Sequence, residues 1–115
     1  MGRKTYRTVV MYRHYFGDFY SGLNKRARLK VDWTIQLIET TERVPSKFLK
    51  YLVGTDGLYE MRVLVGRDAI RIFCFFDHNR LVVLINCFEK KKQKTPRREL
   101  ERALRIKKEY NDEEK

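Results

Sequence analysis

Three charged residues in the middle of the chain, Glu60, Arg62 and Arg71, are of the types needed to handle a phosphodiester. A guanidinium fork matches phosphate oxygens bidentately, and a carboxylate can take a proton from a hydroxyl. Cleavage of RNA by its own 2′-OH needs a base for the hydroxyl, cations for the charge that builds on phosphorus, and a proton for the leaving 5′ oxygen. Stabilising that charge usually contributes more to the rate than any other single effect. Glu60 is the candidate base, and Arg62 and Arg71 are the candidate charge stabilisers. Glu60 fits equally well as a salt-bridge partner that fastens two arginines to a sheet. A second group follows: Asn86 and Phe88, then Lys90, Lys91, Lys92 and Lys94. Cations beside an aromatic ring suit the phosphates and stacked bases of single-stranded nucleic acid. Lys90, Lys91 or Lys92 could also protonate the leaving group. The alternative for this run is a solvated strand edge whose charge deters pairing.

The whole chain leans the same way. Its 115 residues carry 26 Lys plus Arg against 15 Asp plus Glu, a formal net charge of +11. That balance favours an anionic partner, nucleic acid above all. The length fits one domain, residues 1–115, and 43% hydrophobic residues can build a small core. No apolar run approaches the roughly 18 residues of a membrane span. The opening "MGRKTYRTVV" lacks the apolar stretch of a signal peptide. A cytoplasmic protein with no membrane partner is expected. Cys74 and Cys87 lie in strand-like runs and read as reduced core residues. With only two histidines a zinc site is not expected, and no metal or cofactor is assigned.

Residues 5–14 are β-branched and aromatic and read as a first strand. Residues 15–22 read as a turn or short helix. Residues 24–42 read as a helix, with Ala27, Val31, Ile35 and Ile38 inward, Trp33 and Leu37 widening that stripe, and Lys25, Arg26, Arg28 and Lys30 outward. Pro45 ends it, and "PSKFLKYL" reads as a further helical turn. Strands are expected at 58–65, 69–77 and 80–89, joined by short polar loops as an antiparallel meander. Thr95 and Pro96 then open a last helix as N-cap and first residue, with Leu100, Ala103, Leu104 and the Lys107 stem inward and a frayed "NDEEK" tail. The class is α+β, a small antiparallel sheet with helices packed on one face, in the order β-α-α-β-β-β-α.

Two-residue loops at Gly66-Arg67 and His78-Asn79 would fix the register. One face then collects Tyr59, Met61, Val63, Ile70, Ile72, Cys74, Phe76, Leu81, Val83, Ile85 and Cys87, without a charge, and must lie on helices. The other collects an apolar end, Phe73, Phe75, Val82 and Leu84, and a polar end, Glu60, Arg62, Arg71, Asn86, Phe88 and Lys90. Arg62 would sit directly opposite Arg71, a destabilising arrangement unless an anion joins it.

These residues also resemble a family. "GTDGLYEMRV", "IRIFCFF" and "KKKQKTPRRELERA", in this order and spacing, are similar to HigB-type toxins of the RelE/ParE toxin–antitoxin superfamily, over roughly residues 44 to 110 together with the helices before them. The resemblance implies a toxin that cuts mRNA on the ribosome and so blocks translation. It also implies a cognate antitoxin of HigA-like, helix-turn-helix type, with mRNA and ribosomal RNA as the other partners. Arg71 matches the strand arginine that contacts the scissile phosphate in such relatives. Arg62 and Glu60 match strand positions that carry catalytic groups. Lys90, Lys91, Lys92 and Lys94 match the basic segment before the last helix. Relatives place a His or Tyr near that segment, whereas this chain offers Lys and Gln93, which leaves the general acid unassigned. Two other classes stay open: a non-enzymatic inhibitor of DNA gyrase like the ParE branch, and a basic nucleic-acid-binding module without toxicity.

Overall fold

The computed structural model describes residues 4–90 and 96–114, with side chains described up to Asn86 and again from Pro96. The described elements are β1 (Thr8–Met11), α1 (Tyr15–Ser21), α2 (Lys25–Thr40), β2 (Leu49–Tyr51), β3 (Leu58–Val65), β4 (Asp68–Asp77), β5 (Arg80–Lys90) and α3 (Arg97–Glu113). The class is α+β, but the order differs from the expected one. Both early helices, α1 and α2, precede a run of four strands, β2 to β5, rather than three. The added strand is the segment that reads as a further helical turn. It closes one turn only, with the Phe48 and Leu49 N–H groups donating to Pro45 O. It then pairs as an edge strand, Leu49 opposite Met61 and Tyr51 opposite Tyr59. The unpaired edge of β3 outweighs the helical spacing of "PSKFLKYL", because a ladder satisfies its backbone donors and acceptors.

The sheet order is β1-β5-β4-β3-β2. The sheet is mixed rather than antiparallel, since β1 runs parallel to β5 with Thr8 opposite Arg80 and Met11 opposite Val83. A parallel pair needs a long crossover, and most of the chain separates these two strands. α2 starts at Asn24, whose side chain accepts from the Ala27 N–H at 2.9 Å. Its far end is held by Arg7, which donates to the carbonyls of Ile38, of Thr41 (2.8 Å) and of Glu42 (2.7 Å).

Both hairpin loops have two residues, closing Val65 to Asp68 and Asp77 to Arg80. Gly66 takes φ +62° at the first loop position, where glycine carries no Cβ penalty. The β4–β5 ladder, however, shifts register between Phe73 and Cys74: Cys74 pairs with Val83 but Phe73 pairs with Ile85, so Leu84 is the extra residue of a β-bulge. Below the bulge the expected faces of β5 hold. Beyond it they are exchanged.

Helices cover both faces, not one. α1 and α2 lie on the first face through Phe16, Val31 and Ile38, which pack with Met61, Val63, Ile70, Ile72, Cys74, Leu81 and Val83. α3 lies on the apolar end of the second face, where Ala103, Ile106 and Tyr110 pack with Leu58, Phe73, Phe75, Val82, Leu84 and Ile85. Ile85, expected on the first face, joins this cluster because of the bulge. The inner stripe of α3 includes Ile106 and Tyr110, and the helix continues to Glu113, through residues expected to fray. Pro96 occupies the N-cap position, so the helix starts one residue later than expected; Thr95 lies outside the described residues. Tyr110 fastens the helix to the β4–β5 hairpin: its hydroxyl donates to Asp77 Oδ2 at 2.6 Å, and Arg80 donates to both Asp77 and Tyr110 at 2.9 Å.

Candidate functional site

Glu60, Arg62 and Arg71 occupy the second face of the sheet, at the end that the buried residues of α3 leave to charged groups. The β3–β4 ladder sets Arg62 directly opposite Arg71 and Glu60 opposite Phe73. Glu60 is thus the diagonal neighbour of Arg71, within reach of a long side chain, and its Oε2 lies 3.5 Å from Arg71 Nη1. The three groups sum to a formal +1. Leu58 and Phe73, beside them on this face, are fully buried, so the charges rest on a floor of low polarity where Coulomb interactions are strong.

Burial separates the members. Glu60 is 3% exposed and Arg71 is 2% exposed. Arg62 is only part-buried, and its Nε is shielded from solvent without a hydrogen-bond partner. A shielded guanidinium N–H with no acceptor costs roughly 1–3 kcal/mol. The triad is therefore not an open hollow ready for a phosphate. It is a closed Glu60–Arg71 pair with one under-satisfied arginine beside it.

The second group of expected site residues is divided by the bulge. Asn86 pairs with Ile72, on the face of α1 and α2, while Cys87 takes the position opposite Arg71. The backbone register likewise sets Phe88 opposite Ile70 and Lys90 opposite Asp68. Asn86 therefore does not share a face with the arginines, and the register positions of Phe88 and Lys90 follow it. Lys91, Lys92 and Lys94 lie outside the described residues. Among the described residues no cluster of His, Cys, Asp or Glu could hold a metal ion. No helix among them is long and apolar enough to cross a membrane.

Sequence reasoning missed one feature altogether. Trp33, assigned inward, is 53% exposed, and Leu29 is 58% exposed. The signal was present: Leu29, Trp33 and Leu37 recur at spacings of four, a second apolar ridge on a helix whose inner stripe is complete without them.

A mixed sheet clasped between helices, with an arginine pair and a carboxylate on one strand face, defines a small basic α+β protein. The chain belongs to the phage-derived protein Gp49-like family (DUF891), whose model matches residues 18–108. That family is associated with the toxins of toxin–antitoxin systems and is RelE/HigB-like. No curated protein matches the chain.

Proposed function

We propose that the chain is the toxin of a toxin–antitoxin pair and that it stops translation by cutting mRNA on the ribosome. The observation that carries this reading is the placement of Arg62 opposite Arg71, with Glu60 beside them, on one face of a chain of net charge +11. In the proposed reaction Glu60 takes the proton of a message 2′-OH. The freed oxygen attacks the adjacent phosphorus, the bond to the 5′ oxygen breaks, and that oxygen gains a proton. The products are a 2′,3′-cyclic phosphate and a 5′-hydroxyl. Arg71 and Arg62 stabilise the charge on the phosphoryl oxygens, and Lys90, Lys91, Lys92 and Lys94 hold backbone phosphates.

Burial of Glu60 and Arg71 adds a requirement: the message reaches them only after the groups above them move. A binding site that supplies that displacement and also orients the message provides a large part of the rate. The ribosome fits that role, and the isolated chain is then a poor nuclease.

The same burial favours a second reading, in which Glu60 and Arg71 only fasten the sheet and the toxin acts by protein contact, as the ParE branch does on DNA gyrase. Primer extension on translated mRNA after induced expression separates the two. Cuts within codons that vanish with Arg62→Ala support the nuclease. Intact message with DNA damage supports the contact inhibitor. An Arg62→Ala and an Arg71→Lys variant that both stay fully toxic overturn the proposed site.

A further inference from the structure

α2 is apolar on two sides. Ala27, Val31, Thr34 and Ile38 are buried against the sheet. On the outward side Leu29 and Trp33 form a ridge that none of the described residues buries. Trp33 has an edge contact with Phe48, with ring centres 5.7 Å apart. Lys25, Arg26, Leu29, Lys30 and Trp33 line an open groove of about 630 Å³ along this side. Lys47 adds a further cation over the outer ring, its Nζ 5.5 Å from the Phe48 centre. Exposed large apolar groups rimmed by like charges are the mark of an interaction surface rather than of a solvated helix.

We propose that this groove docks an acidic amphipathic helix of a partner protein. Leucine and tryptophan at a spacing of four match the i, i+4 anchors of helix-in-groove recognition, and the rim of cations calls for carboxylates around an apolar seam. A second copy of this chain brings the same cations and is repelled. Single-stranded RNA meets the Trp33 and Phe48 rings set edge to face beside an aliphatic ridge, which offers successive bases no continuous stacking platform. Under the toxin reading above the partner is the antitoxin, and only that role rests on the reading. The groove lies on the side of the sheet opposite Arg62 and Arg71, so docking there leaves the arginine face uncovered.

Trp33 is the chain's single tryptophan, so its emission reports the groove directly. The probe is a stapled Leu/Ala/Glu helix of about 18 residues, five turns, with leucines at spacings of four. The full chain should bind it saturably with a blue shift of Trp33 emission. Leu29→Glu, and the combined Lys25→Glu, Arg26→Glu and Lys30→Glu, should each weaken binding at least about tenfold. These side chains are on the surface, and circular dichroism checks that each variant folds. The proposal is overturned if the variants bind as well as the parent chain. It is equally overturned if a Leu/Ala/Lys helix binds as tightly, if a uridine oligonucleotide shifts Trp33 at lower concentration, or if sedimentation shows a dimer that buries Trp33. Peptide binding needs no ribosome. Loss of binding with an Arg62-dependent toxin removes only the docking site, and binding with an Arg62-independent toxin removes only the nuclease.

Discussion

Arg62 and Arg71 face each other across the β3–β4 ladder as a direct pair, and the sheet tolerates them against their own repulsion. Like charges in that position cost roughly 0.2–1 kcal/mol, and the shielded Nε of Arg62 adds to the penalty. The Glu60 carboxylate 3.5 Å from Arg71 offsets part of it. If the pair serves to bind an anion, as proposed, removing Arg62 relieves repulsion in the free fold; if it is a clamp, removing Arg62 weakens the sheet. Arg62→Ala should therefore leave the urea midpoint unchanged or raise stability by up to about 1 kcal/mol, while abolishing growth arrest on induction. A loss of more than about 1 kcal/mol would make Arg62 a structural residue.

Arg71 behaves differently because it is buried with its partner. Removing one member of a buried ion pair costs about 3–5 kcal/mol, whereas replacing both with apolar or neutral groups of similar volume is often neutral. Arg71→Ala should lower stability by about 3 kcal/mol, and Glu60→Gln with Arg71→Met should recover most of it. A double-mutant cycle on urea midpoints measures the coupling directly. Because Arg71→Ala is expected to loosen the fold, Arg71→Lys, which keeps the charge but loses the fork, is the variant to read for activity.

Arg7 ties the first residues of the chain to the end of α2 through three backbone carbonyls. Those carbonyls have no intrahelical donor, and a cation there also meets the negative end of the helix dipole. Arg7→Ala should cost about 1–2 kcal/mol in thermal or urea unfolding, and Arg7→Lys about half of that, since lysine supplies the charge without the fork. Amide exchange should speed up over the last turn of α2 before it changes in the sheet.

The parts of this fold that are legible in the sequence are those fixed by local chemistry. Gly66-Arg67 and His78-Asn79 are two-residue turns, and the first of them alone aligns Arg62 with Arg71. The spacing of Ala27, Val31 and Ile38 marks the buried side of α2. What stays hidden depends on partners distant in the chain. The bulge at Leu84 leaves no trace in "LVVLIN", because both faces of β5 are apolar there and either register satisfies the alternation. That one residue moves Asn86 away from the arginines. β2 is hidden because an open strand edge, not local propensity, makes it a strand. Trp33 escapes because its size and apolarity suggest burial, whereas its spacing from Leu29 and Leu37 places it on a second ridge that the sheet does not reach.

The Tyr110–Asp77 hydrogen bond should leave a mark at both ends of the pH scale. Hydrogen bonds from Tyr110, Arg80 and His78 hold the Asp77 carboxyl down at about 2, against an ordinary 3.8. Its stabilising contribution is complete above pH 3.8 and is lost as pH falls through about 2. Burial, together with the bond to Asp77, pushes the Tyr110 hydroxyl up to about 12 from 10.0. That contribution is complete below pH 10 and is lost as pH rises through about 12. Glu113, held low by the neighbouring Tyr12 hydroxyl and the Arg13 guanidinium, adds to the acid limb, and Tyr12, raised to about 12 mainly by burial, adds to the alkaline one. Tyr110→Phe keeps the ring that packs on Phe75 with centres 5.2 Å apart and deletes only the hydroxyl. Melting temperatures measured from pH 2 to 11 should show the variant less stable near neutrality, with a shallower fall at both extremes than the parent chain. Parallel curves for the two proteins would mean that the Tyr110–Asp77 bond contributes nothing to holding α3 on the hairpin.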